Sequence, residues 1–137
     1  MKQDDYLLNQ IDLLGKVLAK IIEQLLKRKT NNEIFEVSEV TIQISEKEAP
    51  ITIVELLELS NDKLIEFLIR HQFQLNHFEK IGELFHLLSN EPTQRLNCLN
   101  KSLTLYNYVH THSTTYSTEL VNRIRKIEEE ITRNDLH

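Results

Sequence analysis

Leu7, Ile11, Leu14, Leu18, Ile21 and Leu25 are spaced four, three, four, three and four residues apart. That is an a/d heptad seam, and it predicts an amphipathic helix over residues 6–28. Leu8, Gly15, Ile22 and Leu26 widen the apolar face, while Asn9, Asp12, Lys16, Lys20, Glu23 and Lys27 fall on the other side. Gly15 and Ala19 are small residues one turn apart, where another backbone could approach. Asp4 and Asp5 suit the positive end of the helix dipole, and Lys27, Arg28 and Lys29 the negative end. Thr30, Asn31 and Asn32 read as a stop.

Residues 33–45 are ambiguous. Val40, Ile42 and Ile44 alternate with polar residues as in a strand, but no second strand pattern stands out to pair with them. We therefore expect a helix or an irregular segment there. Pro50 marks a break. Short helices follow: one around Ile53, Leu56 and Leu57; one capped by Ser60 or Asn61 and carrying Leu64, Ile65, Phe67 and Leu68. Asn76 with Glu79 reads as the capping box of a helix presenting Phe78, Ile81, Phe85 and Leu88. Pro92 is expected to open the next at its first helical position, and Leu96, Leu99, Leu103 and Tyr106 to share a face there. The last helix presents Leu120, Ile124, Ile127 and Ile131. The expected fold is all-α: one domain over residues 1–137, a small helical bundle with a long N-terminal helix.

Residues 78–105 resemble a degenerate tetratricopeptide-type helix pair. Phe78, Ile81, Gly82 and Phe85 match the spacing of its first helix, and Leu99, Ser102, Leu103 and Leu105 fit the large–small–large pattern of its second. Arg95 replaces an expected small residue, and the closing proline is missing. The resemblance implies a helical hairpin whose glycine lets two helices pack closely. Through Asp5-Tyr6, the Ile11–Ala19 stretch, Leu64-Ile65 and Leu103-Thr-Leu-Tyr106, the whole layout also resembles a family of small uncharacterised bacterial helical proteins, which implies a fold but no activity. One helix pair is fewer than the three or so repeats that build a concave binding surface.

Composition narrows the function classes. Two glycines in 137 residues, Gly15 and Gly82, both inside helical patterns, leave no phosphate-cradling glycine loop or dinucleotide fingerprint. A net charge of -5 argues against nucleic acid as the partner. The charge is uneven: residues 33–60 hold seven acidic groups and one basic, a solvated face by default. The short clusters Lys27-Arg28-Lys29 and Arg123-Ile-Arg125-Lys126 sit in no recognition motif. A single cysteine, Cys98, allows no intrachain disulfide, and with no apolar leader or membrane-length run the expected compartment is the cytoplasm.

No catalytic motif emerges. His110 and His112, or His77 and His86, point to different sides of a helix, and no HExxH or CxxC occurs. A metal site would need distant His71, His77 and Cys98. Cys98 lacks an acyl-transfer motif and reads as a buried thiol. Glu79 and Glu83 lie one turn apart, and Glu83-Leu-Phe-His86 has the Glu-x-x-His spacing of di-iron bundles once, without the required second copy. Tyr106, Tyr108 and Tyr116 form an aromatic cluster, expected to place one ring in the core and the others at its edge. The expectation is a non-enzymatic association protein with no cofactor. Its candidate face is Leu7, Ile11, Leu14, Leu18, Ile21 and Leu25, its partner a protein or a second copy. A membrane surface is the competing use of the same helix, although Asp12 and Glu23 interrupt its basic side.

Overall fold

The computed structural model describes residues 2–33, 36–44 and 48–135. The fold is all-α. In chain order come α1 (Lys2–Thr30), a 3₁₀ turn (Val37–Glu39), β1 (Thr41–Ile42), β2 (Ile51–Thr52), α2 (Ile53–Glu58), α3 (Asn61–Arg70), α4 (Leu75–Leu88), α5 (Arg95–His112) and α6 (Thr118–Asp135). Helix α4 lies between α1 and α5, and α5 also packs against α6, so these helices share one core.

The heptad seam of α1 is a folding face. Leu14, Leu18, Ile22 and Leu25 are buried, and α1 packs on α4. Helix α1 ends where the sequence places its stop. Asn32 takes a left-handed φ of 58°, the Glu33 amide donates to Arg28 O (2.9 Å) and the Asn32 amide to Lys29 O (3.1 Å), a Schellman closure. Gln72 repeats this device after α3 with φ 63°. Arg28 then binds Glu39 (2.8 Å) and Glu33 (3.3 Å), tying the 3₁₀ turn to the end of α1.

The ambiguous stretch resolves into that turn and a strand, not a helix. Thr41 pairs with Thr52 and Ile42 with Ile51 in an antiparallel ladder, which corrects the expectation that no partner strand exists. The partner is two residues long and runs straight into α2, too short to show as a strand pattern. Val37, Val40 and Ile42 turn inward, so burial and β-branched propensity decide the segment. Residues 34, 35 and 45 of the ambiguous stretch lie outside the described residues.

Caps define the other helices. Thr52 accepts from the Glu55 amide and Ser60 from the Lys63 amide, opening α2 and α3. Helix α4 opens at Gln74 rather than Asn76, and Glu79 takes no part: the Gln74 amide donates to His77 Nδ1 at 2.9 Å. Pro92 lies in a turn three residues ahead of Arg95, where α5 begins, because Glu91 and Gln94 close successive turns onto Leu88 and Glu91.

Helix α5 buries more than the expected stripe. Leu99 and Tyr106 are in the core, Leu103 is half-buried and Leu96 is exposed, while Cys98, Lys101, Ser102, Leu105 and Val109 are buried as well. The cause is position: α4, α6, α2 and α3 all touch α5. Its contact with α4 is close at Gly82, where a Cβ would sit 2.8 Å from Tyr106 Cε1. There the buried Ser102 hydroxyl donates to Gly82 O at 2.7 Å. Helices α4 and α5 are thus a hairpin joined at a glycine.

Candidate functional site

Three chemistries raised by the sequence can be located in the fold. Cys98 is fully buried, and burial, with Glu91 adding to it, pushes its thiol up to about 12. A thiol held protonated and out of reach is a poor nucleophile. Glu83 and His86 do not act together: Glu83 lies on the side of Tyr106 and Arg123, whereas His86 Nε2 meets Glu130 of α6 at 3.0 and 3.3 Å. Among the described residues no group of three His, Cys, Asp or Glu could hold a metal ion. Tyr106 is buried, Tyr108 half-buried and Tyr116 exposed, the division expected of the cluster. Tyr108 stacks between Phe78 (4.8 Å) and His112 (3.9 Å).

His77 has a structural task that the sequence did not suggest. A backbone amide can only donate, so Nδ1 must accept from Gln74, and the ring proton is on Nε2. Nε2 then donates to Ile11 O of α1 at 3.1 Å. One neutral imidazole closes α4 and fastens α1 to it. Burial lowers its pKa, opposed by the bond to Ile11. Gly15 of α1 faces this ring, so the close approach suggested at Gly15 is filled by a side chain, while Ala19 is exposed.

The predicted interaction face divides. Leu14, Leu18 and Leu25 are in the core, Ile11 and Ile21 are half-buried, and the side chain of Leu7 lies outside the described residues. Beside the seam, Leu13 is 50% exposed. Leu13, Val17 and Ile21 recur every four residues and form an apolar edge on α1, with Val17 and Ile21 half-buried.

The polar feature that the sequence concealed lies at the junction of four elements. Lys29 from the end of α1, His86, Leu87, Ser89 and Asn90 from the end of α4, Arg95 from the start of α5, and Lys126 and Glu130 from α6 line one pocket of about 160 Å³. Its wall carries three basic side chains and one carboxylate, the latter held by His86. These residues span the chain from Lys29 to Glu130, so no local motif could reveal them.

No family model matches the chain, and no curated protein or solved structure matches it. No described helix is long and apolar enough to cross a membrane.

Proposed function

We propose that the protein is a non-enzymatic association module, and that the exposed edge of α1 takes a helix of a protein partner, a second copy of this chain being the first to test. The reading rests on the Leu13–Val17–Ile21 edge: a regular apolar row of which Leu13 stands half exposed beside a seam already spent on the core. Helix–helix packing uses rows of this kind. Read as tetratricopeptide-like, the α4–α5 hairpin gives α1 a rigid support, with Gly82 and Ser102 setting the close crossing. A membrane role is less well supported, because the seam that would enter a lipid surface is the one that packs on α4.

Light scattering after size exclusion, over a concentration series, tests the proposal. The expected result is a mass that rises from one chain to two, and a single-chain mass for Leu13→Asp at every concentration. Leu14 is unsuitable for this purpose: it is buried, and a charge there attacks the core. A single-chain mass for the unaltered protein throughout, or a dimer untouched by Leu13→Asp, overturns the second copy as occupant of this edge.

A further inference from the structure

The pocket between α1, α4, α5 and α6 is cationic in a chain whose net charge is -5. Local structure does not account for all its charge. Lys29 suits the negative end of α1, but Arg95 is the first residue of α5, at a helix end whose dipole disfavours a cation. Arg95 donates to Ser89 O over a long 3.5 Å, and a guanidinium has five N–H donors in all. Glu130 lies one turn beyond Lys126 yet turns to His86 instead. Neither Lys29 nor Lys126 has an ion pair among the described residues. Cations from three separate helices therefore face one small polar space without a matching set of carboxylates. An oxyanion with two charges supplies what is missing, and the forked guanidinium suits its geometry.

Size and surroundings narrow the ligand further. At about 160 Å³ the pocket is smaller than the roughly 300–1,000 Å³ typical of whole small-molecule sites, so it holds a head group. Lys29 and Asn90 also line an adjoining cleft of about 660 Å³, whose other walls include Glu36, Glu91, which accepts from the Val37 amide and keeps its charge, and Glu33, which is already paired with Arg28. Acidic walls repel a second anion and favour a cationic substituent. We propose that the pocket binds the phosphoryl group of a small phosphomonoester whose cationic substituent lies in this cleft.

Titration calorimetry of the full chain, at fixed chloride, tests this with inorganic phosphate, phosphoethanolamine and 3-phosphoglycerate. Phosphoethanolamine should bind saturably and at least about threefold more tightly than either of the others. Arg95→Gln and Lys126→Gln should each weaken it on the order of tenfold, the usual cost of a charge-assisted hydrogen bond. Lys16→Gln, on an exposed position of α1 outside the pocket, should leave it unchanged. Lys126 is exposed, so its variant keeps the fold, and far-UV circular dichroism checks both. Absence of saturable binding, or binding that neither pocket variant weakens, overturns the site. Equal or tighter binding of inorganic phosphate or 3-phosphoglycerate overturns the placement of the substituent.

Discussion

The two glycines give the sharpest test of how the helices are packed, because the same substitution should act in opposite directions. An added Cβ at Gly82 would stand 2.8, 3.0 and 3.3 Å from three carbons of the Tyr106 ring. Tyr106 is 1% exposed and cannot swing away, and Ser102 pins Gly82 O from the same side. Overpacking of a filled core costs about 1–3 kcal/mol, against a helix-propensity gain of about 1 kcal/mol for replacing glycine by alanine. Gly82→Ala should therefore lower stability by about 1 kcal/mol. At Gly15 the nearest atoms to a Cβ are His77 Nε2 and Cδ2, at 3.7 and 3.9 Å, which is ordinary contact. There the propensity gain survives, and Gly15→Ala should raise stability by about 0.5–1 kcal/mol. Urea unfolding followed by circular dichroism separates the two variants, with melting temperatures about 5–7 °C apart for a domain of this size. A second cycle with Tyr106→Leu should remove most of the penalty at Gly82, since the two residues touch. If Gly82→Ala proves as stable as Gly15→Ala, the α4–α5 crossing is looser than described and the reasoning fails.

Two further outcomes concern buried titratable groups. His77 is neutral in the fold and its pKa is lowered from 6.5 by burial, so the unfolded chain binds the extra proton first. The stability it contributes is complete above about pH 6.5 and is lost as pH falls below that value towards its folded pKa. His77→Asn should flatten that part of a stability–pH profile, while costing about 1–2 kcal/mol at pH 7.5 through the lost bond to Ile11; an unchanged profile would remove His77 as its source. Cys98, with its thiol pushed up to about 12, should react with a disulfide reagent only at the rate of unfolding. Fast labelling of the folded protein would place the thiol nearer the surface than we find it.

What was legible in the sequence follows from which faces are buried. Helices α1 and α6 each bury one principal side, so Leu14, Leu18 and Leu25, and Leu120 and Ile127, stand out by spacing, whereas α4, packed between α1 and α5, is marked by its density of large apolar residues such as Phe78 and Phe85. Helix α5 is enclosed on several sides and buries Lys101, whose ammonium donates to Asn61 Oδ1 at 3.0 Å. Its pattern is blurred for that reason. The start of α4 was misplaced because its acceptor is an imidazole, outside the usual Ser, Thr, Asp and Asn vocabulary of caps. The β1–β2 ladder was missed because a pair of two-residue strands has no period to read. The cationic pocket could not be found at all, since Lys29, Arg95 and Lys126 meet only in three dimensions and the overall charge points the other way.

The single imidazole that joins α1 to α4 spans 66 residues of sequence. Helices α4, α5 and α6 follow one another through short links, so their contacts close small loops, whereas docking of α1 must close a long one. Such a layout predicts an order of assembly in which the three C-terminal helices condense first and α1 arrives on a platform already made. The same asymmetry runs backwards in the native state. Helix α1 is expected to lift off as a unit at a free energy below that of global unfolding, so amide exchange should show its protons, from Leu14 to Leu25, trading together and sooner than those of α4 and α5.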